Sequence, residues 1–386
     1  MKICVVAYKF GTEKEIGEHL GTYHYFIEKM RRLVLLGHEV YVIAPWLSFS
    51  NKGSKNVDGV KVLRYYPPFF NRPKLFFINK LLRILYISAT QRQVLNLDRK
   101  LDLDVVYVWQ ARETGYAVAQ IAYLLRAPFI FRQITAWRWH FERPMLDKKS
   151  QEKFAKTIYE KAKQVVFVSH AAAQEGLDMG LPPEKIAVIG VGIETDLFKP
   201  EDLEKKYDLL FIGRINFDEK GIGYLLEAMP EIIKSVPDVK LGIIGGGRES
   251  QRMLQLIEKL GIKNHVVLLG KQPLTELPRH LNQSKIFVMP SVWIEHFGQV
   301  TIEAMACGIP IVGTNIGGTP EISLDGQTGI NVPPKDSKLL ASAVIKLLGD
   351  DELRQRFGRA ARQRVEENYT YEILVNKLLE TVRNVQ

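Results

Sequence analysis

Runs of β-branched and aliphatic residues alternate with amphipathic stretches along the whole chain. In the first half, strand patterns fall at 2–8, 39–45, 60–66, 104–110, 128–134, 164–169 and 185–190, with helical periodicity over 22–36, 79–97 and 115–125. In the second half, strand patterns fall at 207–213, 240–245, 265–270, 285–290, 309–314 and 329–332. Helical periodicity there covers 221–235, 249–260, 299–307 and 337–348. Strands that alternate with helices of about 10–15 residues predict parallel sheets built of βαβ units. The series restarts near residue 205, after the polar, proline-terminated stretch 192–200. The pattern therefore predicts an α/β chain of two doubly wound domains, 1–195 and 196–370. In such sheets ligands sit beyond the carboxyl ends of the strands, and the cleft between two such domains is the expected site. The last stretch, 351–385, is charged and helical.

Composition leaves this picture intact. The 386 residues suit two domains, and 46% hydrophobic with 25% charged residues is ordinary for a globular protein. No apolar run reaches about 18 residues, so no spanning helix is expected. The opening residues Met1–Tyr8 read as a first buried strand rather than a leader. Cys4 and Cys307 sit in apolar segments and read as small core residues of a reduced, cytoplasmic protein.

Charge adds an asymmetry. The chain carries +10 overall, yet residues 1–200 hold 30 basic against 19 acidic residues and residues 201–386 hold 23 against 24. From Lys61 to Lys100 there are nine basic residues and one acid, Asp98. The first half is thus expected to meet something anionic.

Candidate chemistry concentrates between 290 and 321. A strand ends at Pro290, Glu295 lies in the following loop, and Phe297-Gly298 precede a helix that starts near Gln299 and ends at Gly308. A helix start offers free N–H groups and a positive dipole end, which suits a diphosphate. Glu303 can accept two hydrogen bonds from a ribose diol, and Glu295 can accept from sugar hydroxyls. Alone, the two glutamates would read as solvated charges flanking an ordinary helix. They are not alone. Arg214 follows a strand and Lys220 precedes a helix, and two such cations can neutralise a departing diphosphate. Gly245-Gly246-Gly247 close another strand, but Ser250 stands where a dinucleotide fingerprint needs its third glycine.

This combination resembles the retaining GT-B glycosyltransferases of family 4. The resemblance rests on Glu295 and Glu303 eight residues apart, Pro290-Ser291, Phe297-Gly298, Glu303-Ala304-Met305-Ala306 before Gly308 and Pro310, and Gly317-Gly318-Thr319-Pro320-Glu321. It implies two Rossmann-like domains facing a cleft, with the final helix, 371–386, packing on the first domain. It implies a hexosyl donor of the UDP-sugar or GDP-mannose type and a glycan or lipid-linked acceptor, with no metal or other cofactor. Arg214 and Lys220 would hold the diphosphate, Glu303 the ribose and Glu295 the transferred sugar. Phe297, Gly298 and Gln299 would offer backbone groups, and the turns at Gly245, Gly246 and Leu274 would lie by the base. The chain departs from the family in two places. The usual glycine pair of the first loop is missing, and Gly21, just before the first long helix, is assigned its role. The usual histidine after strand 128–134 is also missing, and His140 is assigned as a displaced equivalent. A sugar-nucleotide epimerase of the same fold and a non-catalytic nucleotide-sugar binder remain as alternatives.

Residues 65–100 interleave aromatic and basic residues, as an interfacial helix does. An anionic membrane surface is the expected partner of this region, and a place on the inner face of the cell membrane follows from it. No nucleic-acid motif accompanies the charge, so no nucleic-acid partner is expected.

Overall fold

The computed structural model describes residues 1–17, 20–68, 76–109, 112–134, 137 and 148–386. The chain forms two compact units, one of residues 1–190 with 374–386, the other of residues 191–373.

The first unit is built on an eight-stranded sheet. Its strands are β1 (Lys2–Ala7), β2 (Glu39–Pro45), β3 (Asn56–Val57), β4 (Val60–Tyr65), β5 (Val105–Trp109), β6 (Phe129–Arg132), β7 (Gln164–Phe167) and β8 (Ile186–Val188), in the order β3-β4-β2-β1-β5-β6-β7-β8. All neighbours pair in parallel except β3 with β4. Every residue of β5 is buried, as expected of a central parallel strand covered on both faces. The helices of this unit include α1 (Leu20–Leu35), α2 (Phe76–Lys100), α3 (Arg112–Ile121), α4 (Lys148–Lys161) and α5 (His170–Asp178). The expected strands are present. The two-residue β3, which pairs back on β4 across the turn at Asp58-Gly59, is too short to leave a periodic signal. Helices α4 and α5 also fill the strand-to-strand connections on either side of β7. α4 is strongly polar, and only Gln151, Phe154, Ala155, Ile158 and Tyr159 face inward.

The second unit holds a six-stranded parallel sheet of β9 (Tyr207–Ile212), β10 (Leu241–Ile244), β11 (Val266–Gly270), β12 (Ser284–Met289), β13 (Ile311–Thr314) and β14 (Gly329–Val332), ordered β11-β10-β9-β12-β13-β14. Helices α6 (Ile222–Ser235), α7 (Ser250–Lys259), α8 (Gln299–Ala306), α9 (Ser337–Leu348) and α10 (Asp351–Asn368) surround it. Leu209, Phe211 and Ile243 of the sheet and Leu225, Met229 and Val344 of α6 and α9 form one core cluster. The last helix, α11 (Tyr371–Arg383), starts in the second unit, and its residues from Leu374 onward count with the first. At the chain end Gln386 Nε2 donates to Asp104 Oδ1 at 2.8 Å.

Candidate active site

β9, β10 and β12 are neighbours in the second sheet, so the segments that leave their carboxyl ends lie side by side. The first segment carries Arg214. A short helix, Phe217–Lys220, follows, with Asn216 as its N-cap accepting from Glu219 N at 2.9 Å. Arg214 is exposed, and its guanidinium donates to the buried Glu219 carboxylate at 2.9 Å. The second segment is the glycine turn after β10. Ile215 N donates to Gly246 O at 3.1 Å and Gly245 N to Gly270 O at 2.8 Å, so Gly245 and Gly246 lie between the Arg214 loop and the end of β11. Leu274 follows β11 in a short 3₁₀ turn, Leu274–Glu276.

The third segment, 290–298, is held from both sides. Val292 N donates to Glu219 O at 3.0 Å, and Gly318 N donates to Glu295 O at 2.7 Å. Both approaches need glycine. A Cβ on Gly221 would lie 1.9 Å from Pro290 O, and one on Gly317 would lie 2.3 Å from Glu295 O. Both residues also have positive φ, +64° and +59°. The clasped loop puts Glu295 against Lys220, whose Nζ donates to Glu295 Oε2. Burial by itself would raise the Glu295 carboxyl. The Lys220 ammonium, with His296 and Arg214 behind it, instead holds it below the usual carboxylate range. His296 itself is pushed down by burial.

Gly298, in the left-handed conformation at φ +79°, precedes the first turn of α8, and no side chain caps that turn. Its N–H groups are therefore available to an anion. Gln299 opens the helix and its amide donates to Glu303 Oε1 at 3.1 Å. Glu303 is fully enclosed, its Oε2 has no hydrogen-bond partner, and burial pushes its carboxyl up to about 8. Ser291 Oγ, Thr301 Oγ1 and Thr319 Oγ1 are likewise buried without a partner. Buried polar atoms normally find partners, and three of these four, on the 290–306 loop and helix, mark a place where a polar ligand can supply them. Phe297 turns inward to meet Tyr369 edge-on, with ring centroids 5.7 Å apart, leaving only its backbone for a ligand.

The structure thus gathers Arg214, Lys220, Gly245, Gly246, Leu274, Glu295, Phe297, Gly298, Gln299 and Glu303 at one end of one sheet. Glu219 was missed by sequence reasoning. It orients Arg214 through its side chain and the 290–298 loop through its carbonyl, and neither contact follows a helical or strand period. One assignment in the first half shifts in place. Gly21 is not ahead of the first long helix but is its second residue, because α1 already starts at Leu20. Its N–H remains among the first four of the helix, which lack intrahelical acceptors. His140 lies outside the described residues, as does 69–75 of the basic segment. An Asp-x-Asp triplet, Asp102-Leu103-Asp104, lies at the amino end of β5, where Asp104 Oδ2 accepts from Lys2 N at 2.7 Å.

Two α/β units with parallel sheets, and cations, an uncapped helix start and carboxylates at one end of the second sheet, define the class of fold and site. The chain belongs to the GT-B glycosyltransferases: residues 21–197 match glycosyltransferase family 4 and residues 193–364 match the glycosyl transferases group 1. Among its relatives is a GDP-mannose-dependent α-(1-6)-phosphatidylinositol monomannoside mannosyltransferase of Mycolicibacterium smegmatis, 31% identical over 224 residues. That match covers 54% of this chain and 58% of the relative, so the chain spans little more than half its length. An uncharacterized glycosyltransferase of Methanocaldococcus jannaschii is 29% identical over 363 residues, 88% of each chain. Among solved structures, Anabaena Alr3699/HepE in complex with UDP and glucose shares the fold, with a TM-score of 0.74, 18% identity and 99% of each chain covered.

Proposed function

We propose that this protein is a retaining glycosyltransferase that moves a hexosyl unit from a nucleotide-diphosphate sugar to a glycan or lipid-linked acceptor without a metal ion. The observation that carries this reading is the contact of Lys220 with Glu295, made next to Arg214 and the uncapped start of α8. As the glycosidic bond breaks, negative charge grows on the departing diphosphate. Arg214, Lys220 and the N–H groups at Gly298–Gln299 stand where that charge would develop, and fixed donors in a partly dry site stabilise it far more than water does. Their positive charge takes the part a metal would take elsewhere. Glu303 accepts the ribose hydroxyls with its unsatisfied oxygen, and Glu295 orients the sugar. Relatives with GDP-mannose in their names support that base among the donors.

A thermal-shift panel of nucleotides and nucleotide sugars tests the donor site, since a ligand that binds only the native state raises apparent stability. UDP- or GDP-sugars should raise the melting temperature, and transfer should survive EDTA. No shift with any nucleotide would remove the reading. The anomeric proton coupling in the product decides whether configuration is retained.

The acceptor side is proposed to meet an anionic membrane surface through α2. Ile78, Leu81, Ile84 and Leu85 are 45–59% exposed and fall on one face of that helix, about three to four residues apart. Lys80, Arg92, Arg99 and Lys100 are exposed on the same helix. Asp98 is buried and receives Arg126 N and Ala127 N. An exposed apolar stripe with only basic charge around it suits anionic headgroups. Among the described residues no helix is long and apolar enough to cross a membrane.

A further inference from the structure

Beyond β2 and β4 the first unit displays a second built surface. Trp46 directly follows β2 and Tyr66 directly follows β4, and Trp46 N donates to Tyr65 O at 2.9 Å. The rings of Trp46 and Tyr66 meet edge-on with centroids 5.3 Å apart, and Phe49 meets Tyr66 at 6.2 Å. Phe49 is 48% exposed and Tyr66 51%. Lys52 Nζ lies 5.1 Å from the centre of the Trp46 ring.

The loop that presents these rings is firmly braced. Glu15 Oε1 accepts from Ser54 N at 2.7 Å and from Ser54 Oγ at 2.9 Å. Its other oxygen accepts from Thr12 N at 2.8 Å. Arg64 donates to Ser54 O at 3.0 Å and to Pro45 O at 3.3 Å. Ser48 and Asn51 close the turn from within, through Asn51 N to Ser48 Oγ at 3.0 Å and Gly53 N to Asn51 Oδ1 at 2.8 Å. A loose loop would fold Phe49 away from water. Here a carboxylate and a guanidinium keep three aromatic rings together and partly wetted, which is the preorganisation a binding surface needs. From 46 to 57 the loop carries Lys52 and Lys55 and no acid.

We propose that Trp46, Phe49 and Tyr66 form a subsite for a pyranose ring of the acceptor that carries a carboxylate or phosphate, met by Lys52. This rests on the glycosyltransferase reading. The apolar C–H face of a pyranose stacks on an aromatic ring, and the ring edges and the Tyr66 hydroxyl face its polar rim. The anionic substituent complements a loop with a charge of +2. The surface lies at the carboxyl end of its sheet, where such sheets place ligands.

The test follows Trp46 fluorescence in the full chain, isolated by difference from Trp46→Phe, with a saturating nucleotide present to occupy the donor site. The probes are methyl glucopyranosiduronate, mannose 6-phosphate, neutral methyl glucopyranoside and phosphatidylglycerol vesicles. Both anionic sugars should give a saturable response, about fivefold tighter than the neutral glycoside. Lys52→Gln should remove that preference, and Phe49→Ala with Tyr66→Ala should abolish the response while circular dichroism stays native. Absence of a saturable response to sugar, equal binding of neutral and anionic sugars, or a response to vesicles alone would each overturn the proposal. If nucleotides still raise the melting temperature in that case, the subsite alone is wrong. If they do not, the glycosyltransferase reading beneath it falls.

Discussion

Lys220 and Glu295 stand 75 residues apart in the chain and meet as an ion pair, Nζ to Oε2. Their side chains retain 18% and 20% of their exposure, so the pair is neither freely hydrated nor sealed. The Lys220 ammonium helps hold the Glu295 carboxyl below the usual carboxylate range, and the contact fixes the position of both groups. In the proposed function such a pair would hold a cation ready for a diphosphate and a carboxylate ready for sugar hydroxyls. Lys220→Ala or Glu295→Ala should each reduce kcat/KM by about a hundredfold or more. Each single change should also destabilise the fold by about 1–3 kcal/mol, because the remaining charge loses its partner. Lys220→Met with Glu295→Gln should recover part of that stability and none of the activity. A double variant whose loss equals the sum of the singles would mean that the pair is not coupled.

Arg214 works differently. It is exposed, and its Nη2 donates to Glu219 Oε2 at 2.9 Å. Arg214→Ala should lower kcat/KM by about ten- to a hundredfold and should also lower the melting temperature, since the buried Glu219 carboxylate loses a charged donor. Arg214→Lys should restore only a fraction, because an ammonium lacks the fork geometry. Full activity in the lysine variant would reduce Arg214 to a general positive charge.

Glu303 makes the second unit pH-sensitive. Its carboxyl is raised by burial from an ordinary 4.5 to about 8. A raised carboxyl contributes stability that is fully present below about 4.5. As pH rises the unfolded chain ionises first, so stability falls until about 8, where the folded state ionises as well. Glu303→Gln lacks this titration. Thermal unfolding at pH 5, 6.5 and 8.5 should show the variant gaining on the parent as pH rises. Parallel curves for the two proteins would contradict an isolated buried carboxyl.

Gly317→Ala tests the clasp on the Glu295 loop. The new methyl would meet Glu295 O at 2.3 Å, at a backbone angle of +59° that alanine adopts reluctantly. Donor binding by calorimetry should be lost and the melting temperature should fall, although no side chain with chemistry has been removed. Unchanged donor affinity would show that the loop keeps its shape without the close approach.

The exposed stripe of α2 gives a membrane test. The parent protein should float with phosphatidylglycerol vesicles at low salt and release at high salt. Leu81→Glu with Ile84→Glu should remain in the soluble fraction at all salt concentrations while donor binding persists. Flotation of this variant would place the contact elsewhere.

Much of the donor side was legible in one dimension because its signals are local. A buried parallel strand is a continuous apolar run such as 207–212, and a cation or glycine directly after it reads as a site residue. That logic singled out Arg214 and Gly245, while Lys220, Glu295 and Glu303 came in through their combination with these and through the family resemblance. It failed where partners come from distant segments. Glu219 is one acid among several in its segment, β3 is too short to show a period, and the bracing of the 46–55 loop by Glu15 and Arg64 joins residues from three separate segments.

The sequence by itself determined the two α/β units, the family and the identity of the groups that could meet a diphosphate, since the units follow from periodicity and the rest from several motifs that stand in a fixed order between Arg214 and Glu321. Only the tertiary structure decided that Lys220 and Glu295 touch and that Arg214 leans on Glu219. It also decided that Glu303 keeps one oxygen unsatisfied and that the rings beyond β2 and β4 form one surface. The reason is physical. A residue's type fixes which bonds it can make, whereas burial and the approach of distant backbone fix which bonds it does make, and those arise when β9, β10 and β12, or β2 and β4, are laid side by side.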